Sequence, residues 1–251
     1  MNFYRLPETI PLQDPMDLSK ELFSRSWDNF DGDIDQFNGD PKNNFTMYTH
    51  NGGLIHIWKP GIVRKLLKVF TKALKLPVYQ FGIVYTPAYG TYAWHSEHSE
   101  HVDTAPEGFR DLVLVRGQLR RNVAINFNLL DHDLSESKIM WAKTNPKVTD
   151  ILKRHYPKVS GVGNTHDLRS NTYDTNEGIK IRLSHSYIED ESLIEFEDEL
   201  YDMEAPTLVN TAKFHKIDNT KCPHGRMMSS VCLHPDHQFT VIQKLLQYNT
   251  Q

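Results

Sequence analysis

Ten residues, Trp94 to Asp103 (Trp-His-Ser-Glu-His-Ser-Glu-His-Val-Asp), hold three imidazoles and three carboxylates. They form three overlapping His-x-acid pairs: His95 with Glu97, His98 with Glu100, and His101 with Asp103. Residues two apart on a strand face the same way, so each pair can present one nitrogen and one oxygen to a metal ion. Such a pair is half of a metal site, and its other half must come from a distant part of the chain. A second kind of chemistry is offered by Cys222-Pro223-His224 and Cys232-Leu233-His234, two Cys-x-His pairs that could build a structural zinc site in a binding scaffold. Thirteen histidines in 251 residues raise the expectation of a metal.

The elements that must position these residues are readable from periodicity. Met1 to Pro15 is broken by prolines and reads as an arm over the body. Asp17 to Phe30 reads as a helix, with Leu18, Leu22, Phe23 and Trp27 near a 3.6-residue period. Asp31 to Asn44, rich in Asp, Gly and Asn, reads as a loop. Leu54 to Trp58 suggests a strand, and Pro60 opens an amphipathic helix over Ile62 to Leu76. That helix sets Ile62, Leu66, Val69, Phe70, Ala73 and Leu74 against Arg64, Lys65, Lys68, Lys72 and Lys75; such a basic face can lie on a membrane or a partner, and a solvated outer face on a core helix is the expectation ahead of that.

From Val78 the texture turns to β. Strands are expected at Val78 to Thr86, Leu112 to Val115, Arg121 to Leu129, Lys138 to Trp141, Ile179 to Leu183, Ser192 to Phe196, Thr207 to Thr211 and Met227 to Leu233. In Arg121 to Leu129, Val123, Ile125, Phe127 and Leu129 alternate with Asn122, Ala124, Asn126 and Asn128, the pattern of a half-buried strand. A short helix over Val148 to Tyr156 and a Gly/Asn-rich loop from Ser160 to Asn176 interrupt the series. A closing helix falls within residues 237–249, with Val241, Ile242, Leu245 and Leu246 at helical spacing. The expected organisation is one domain: a helical region over 1–77, a β core over 78–233 and the closing helix. Its class is mainly β with flanking helices, a barrel or sandwich buttressed at both ends.

Composition excludes some functions. With 28 basic and 32 acidic residues the net charge of -4 exerts no global attraction on nucleic acid, though it permits a local basic patch. No run approaches the ~18 consecutive apolar residues of a membrane span. Two cysteines are too few for a disulfide framework. With no basic and apolar leader in Met1 to Leu6, a cytoplasmic location is expected.

The run Ala205 to Asn219 (Ala-Pro-Thr-Leu-Val-Asn-Thr-Ala-Lys-Phe-His-Lys-Ile-Asp-Asn), with Arg226 eleven residues after His215, resembles the C-terminal signature of iron(II)/2-oxoglutarate-dependent oxygenases. The earlier half is similar to that family too: a His-x-Asp pair, then Arg121-Asn122-Val123-Ala124-Ile125-Asn126-Phe127. The resemblance spans roughly Val78 to Leu233, and it implies a double-stranded β-helix core of jelly-roll or cupin-like form. It further implies iron(II), 2-oxoglutarate as cosubstrate and dioxygen, with ascorbate as an accessory reductant. The implied metal ligands are His101, Asp103 and His215, with His95 and Glu97 as the alternative first pair and His98 with Glu100 third. Glu97 is a departure, since the family uses Asp there. Arg226 would bind the far carboxylate of 2-oxoglutarate, and Asn126 would contact the cosubstrate. Thr104 to Arg120 intervenes where the family often has a few residues, an insertion at the mouth of the site. The implied reaction is hydroxylation of an unidentified substrate with release of succinate and carbon dioxide. A small molecule or protein side chain is expected ahead of nucleic acid, with no membrane partner, and oligomeric state is left open. A cupin-type metalloenzyme that does not use 2-oxoglutarate is the rival within the same fold.

Overall fold

The computed structural model describes residues 1–28, 30, 32–50, 53–92, 94–95, 123–144, 172–174, 180–182, 187–188, 191, 194–201, 205–211, 213–233 and 238–248. Mostly antiparallel β-sheet, with a few helices, makes up this part of the chain. The expected elements at Leu112 to Val115 and Val148 to Tyr156 lie outside the described residues.

Helix α1 (Gln13–Trp27) starts a turn earlier than its periodicity suggests and stops at Trp27. Pro15 lies in its first turn, where a missing N–H removes no intrahelical bond. The stretch read as a loop holds a short helix, α2 (Ile34–Gly39), which corrects that expectation. Its cause is local: the Asp33 carboxylate accepts from the backbone N–H of Asp35 at 3.0 Å and of Gln36 at 3.1 Å. Phe37 then fixes it to the core, edge-on to Phe30 at 5.5 Å. Helix α3 (Pro60–Leu74) begins on Pro60 and ends where Lys75 turns left-handed at φ 54. The last helix, α4, spans Phe239–Tyr248.

Seven strands form the larger sheet: β1 (Phe3–Arg5), β2 (Phe45–His50), β3 (Gly53–Trp58), β4 (Val78–Thr86), β5 (Val123–Asn128), β11 (Thr207–Asn210) and β13 (Arg226–Leu233), ordered β1-β11-β5-β13-β4-β3-β2. The proline-broken arm thus contributes an edge strand. A second sheet, β10-β6-β12, pairs β6 (Lys138–Thr144) with β10 (Ile194–Tyr201) and β12 (Phe214–Asp218). Strand β10 begins later and runs further than Ser192 to Phe196. A small ladder joins β7 (Thr172–Asp174), β8 (Lys180–Arg182) and β9 (Tyr187–Ile188), so part of the expected 160–176 loop is strand.

The central strands of the larger sheet are buried on both faces, and strand alternation assigns each of their side chains to one of them. One face carries Phe81, Ile83, Ile125, Phe127, Met227 and Val231 against Phe23, Leu66, Phe70 and Ile242 of the helices. The other carries Ala124, Val209, Met228 and Cys232 against Ile139, Trp141, Leu200 and Ile217 of the second sheet. Burying each large side chain contributes about 1.5–3 kcal/mol. Strand β5 is therefore not half-buried: Val123, Ile125 and Phe127 meet helices, while Ala124 and Asn126 are enclosed between the sheets. Among the described residues no helix is long and apolar enough to cross a membrane.

Candidate metal and carboxylate site

His215 lies on β12 opposite Trp141 of β6, and its parity with Ile217 turns it toward the space between the sheets. Its other neighbour is the segment 91–95, which runs antiparallel to β12. The His95 N–H donates to the His215 carbonyl at 3.0 Å, and the His215 N–H donates back at 2.8 Å. The two rings stand 4.3 Å apart, tilted by 51°. Bridges at Thr91–Asp218 and His95–His215 leave one extra residue in the 91–95 segment. A bulge of that kind re-aims side chains, and here Tyr92 and His95 come within 6.3 Å of each other, ring to ring.

His215 is 7% exposed and its Nδ1 lies 2.8 Å from the Lys213 carbonyl. A carbonyl can only accept, so Nδ1 carries a proton and donates it to Lys213. This is the arrangement that orients a metal-binding imidazole.

Behind the paired histidines, Trp94 and Lys216 form an outer clamp. The Lys216 ammonium lies 5.0 Å from the Trp94 ring centre and donates to Glu191 Oε1 at 2.7 Å. Trp94 Nε1 donates to the same oxygen at 3.2 Å. The Lys216 hydrogen bond holds the Glu191 carboxyl below its ordinary range, against a partial burial that pushes it up.

Arg226 opens β13 and is 2% exposed. Its Nη1 donates to Ser137 Oγ at 3.1 Å, just before β6, and its Nε lies 2.7 Å from Met228 Sδ. Asn126, on β5, is in register with Thr207 on one side and Ser230 on the other. It is 8% exposed, and its Oδ1 has no hydrogen-bond partner. An orphaned amide oxygen at that depth costs about 1–3 kcal/mol, which only a hydrogen-bond donor would recover.

His215, Arg226 and Asn126 therefore share the inter-sheet side of their strands, as does His95. His101 and Asp103 lie outside the described residues, as do Glu97, His98 and Glu100. Among the described residues no group of three or more His, Cys, Asp or Glu is gathered for a metal. The zinc-scaffold alternative is overturned. Cys222 Sγ packs 3.8 Å from the Asp133 carbonyl, beyond the start of β13, whereas Cys232 is enclosed near its other end. Arg226 to Cys232 alone spans about 20 Å of extended chain, far beyond the ~2.3 Å bonds one zinc allows. Sequence reasoning missed Ser137, Glu191 and Lys216. Alternation along β12 puts Lys216 opposite His215, but no local pattern marks Glu191 as its partner.

No family model matches the chain, and no curated protein sequence does. Among solved structures it is similar to HygX from Streptomyces hygroscopicus with nickel and 2-oxoglutarate bound, at 11% identity and a TM-score of 0.38, covering 94% of this chain and 83% of HygX. It is also similar to a Pseudomonas putida prolyl-4-hydroxylase, at 9% identity and 0.37, covering 94% of each chain. A third is the non-heme alpha-ketoglutarate-dependent carbocyclase SnoK from nogalamycin biosynthesis, at 9% identity and 0.41, covering 97% of this chain and 86% of SnoK. Overlaps this loose leave the chemistry of this chain to be argued from its own residues.

Proposed function

We propose that the chain is an iron(II)- and 2-oxoglutarate-dependent dioxygenase with a double-stranded β-helix core in one domain, hydroxylating a small molecule or a protein side chain. The observation that carries this reading is the His95–His215 pair, two imidazoles 4.3 Å apart on hydrogen-bonded strands. The donor set fits the metal: neutral imidazoles suit iron, and an acid two residues beyond His95 would complete a 2-His-1-carboxylate face. This pairing favours His95 with Glu97 over His101 with Asp103 as partners of His215. The cosubstrate pocket fits too. Arg226 touches Ser137, and His215 pairs with Trp141, four residues further along β6, a backbone span of about 13 Å. Side chains reaching inward from both ends can hold a five-carbon dicarboxylate.

Arg226, buried and permanently charged, would anchor the far carboxylate as a planar fork. Asn126 would contact the cosubstrate through its amide Nδ2–H, since the oxygens of the dicarboxylate only accept. The Nδ1–H of His215 donates to the Lys213 carbonyl, which fixes the ring's orientation, and Nε2 would be the metal-binding atom. Tyr92, Trp141, Val209 and Met228 keep water from the space between the sheets. Iron and 2-oxoglutarate, when bound, supply dioxygen activation and oxidation of a substrate C–H bond, with succinate and carbon dioxide released.

Anaerobic titration of the protein with iron(II) and 2-oxoglutarate tests the reading through the weak charge-transfer absorption of the bound keto acid. His95→Ala, Glu97→Ala and His215→Ala should abolish metal retention, while His101→Ala and Asp103→Ala should keep it. Arg226→Met should keep the metal and weaken 2-oxoglutarate by 2–5 kcal/mol, on the order of 30- to 5,000-fold. Loss of metal in Asp103→Ala with retention in Glu97→Ala would reverse the ligand assignment. Metal binding without any 2-oxoglutarate binding would leave a cupin-type metalloenzyme instead.

A further inference from the structure

Helix α3 carries five exposed cations, Arg64, Lys65, Lys68, Lys72 and, at its C-cap, Lys75, and no acidic residue. At 3.6 residues per turn they fall within an arc of about 100°, and Arg64 to Lys75 covers about 16 Å of axis. Leu66, Phe70 and Leu74 occupy the opposite side, buried against β4 and α1. The stripe is thus a straight row on a rigid support. Five lysines elsewhere are paired with acids: Lys20 with Asp131, Lys138 with Glu199, Lys143 and Lys213 with Glu197, and Lys216 with Glu191. Among the described residues the five cations of α3 make no ion pair. In a chain of net charge -4, they concentrate positive potential on one helix.

We infer that α3 is a docking face for the phosphodiester backbone of duplex nucleic acid. A membrane-seated helix must lend its apolar side to the lipid, and here that side is consumed by the core. A flat anionic surface would also meet the neighbouring helix α1, which exposes Asp14, Asp17, Glu21 and Asp28. A rod-shaped polyanion can lie along the row and avoid them. Over 16 Å a duplex presents about 9 charges, enough to engage all five cations. The exposed row of α3 has no aromatic residue on which an unpaired base could stack, so the contact is with phosphates and independent of sequence. The row lies on the helix-covered face of the larger sheet, away from His95 and His215, so docking leaves that site open and does not depend on the oxygenase reading.

Fluorescence anisotropy with two unrelated 20-bp duplexes tests this. Wild type should bind both alike, with a log–log salt slope approaching about -4.5 for five contacts, which means roughly 500-fold weaker binding at 200 mM than at 50 mM salt. Lys65→Glu, Lys68→Glu and Lys72→Glu combined should abolish binding while melting at the wild-type temperature. If that variant fails to fold, the Lys→Gln triple should flatten the slope by about 2.7. No binding at 50 mM salt, a slope unchanged by the triple substitution, or preference for phosphatidylserine vesicles over duplex at equal charge would overturn the inference.

Discussion

Lys216→Met isolates the clamp behind the paired histidines. Methionine keeps an apolar stem over Trp94 and removes the charge. Two interactions vanish: the 2.7 Å ion pair with Glu191 and the cation–π contact at 5.0 Å. The side chain of Lys216 is 15% exposed but that of Glu191 is 66% exposed, so the ion pair belongs with screened surface pairs, at about 0.2–1 kcal/mol. The cation–π contact adds about 0.5–1 kcal/mol. A total of about 1–2 kcal/mol lowers Tm by roughly 2–8 °C in a chain of this size. Acidity supplies the sign. Glu191 has a depressed native pKa, so its contribution is fully present above its ordinary value of ~4.3 and is lost as pH falls through the lower native one. The gap between wild type and variant should therefore be constant from pH 8 to 5 and narrow in stronger acid. Thermal melts at several pH values measure it. A Tm within 1 °C of wild type at neutral pH, or a gap that widens on acidification, would refute the reasoning.

Two further substitutions probe the supports of the site. A Cβ at Gly225 would stand 2.6 Å from the Tyr85 ring and hydroxyl, so Gly225→Ala must displace that ring, whose centre lies 6.0 Å from that of Trp27. A cost of about 1–3 kcal/mol is expected, read as a lower urea midpoint with a shift in tryptophan emission; an unchanged midpoint would mean that Tyr85 swings freely. Phe70, fully buried between Phe81 at 5.1 Å and Phe127 at 5.9 Å, ties α3 to the larger sheet. Phe70→Ala should cost about 3–5 kcal/mol in urea unfolding with the m-value unchanged, and a loss below 1 kcal/mol would deny this stack its place in the core.

Local pattern decided much of this protein. The β-forming residues of Val78 to Thr86, the alternation of Val123 to Phe127 and the 3.6-residue period of α3 reflect sterics within a few residues, so they were legible without a partner. The order of an acid-and-histidine cluster, then His215, then Arg226, was legible in the same way. Helix α2 was not, because composition pointed to a loop and the Asp33 cap outweighed it. Alternation alone did not place Asn126 either, since a polar residue between apolar ones looks the same facing solvent or a second sheet; the family resemblance pointed it inward, and it is buried. The choice among three histidines lay furthest from the sequence. Equivalent His-x-acid pairs cannot be ranked by spacing, and the ladder that sets His95 beside His215, 120 positions away, is a tertiary contact that no local pattern announces. Register between distant strands depends on what each buries against the other, and only the tertiary structure brings His95, His215 and the Trp94–Lys216–Glu191 clamp together.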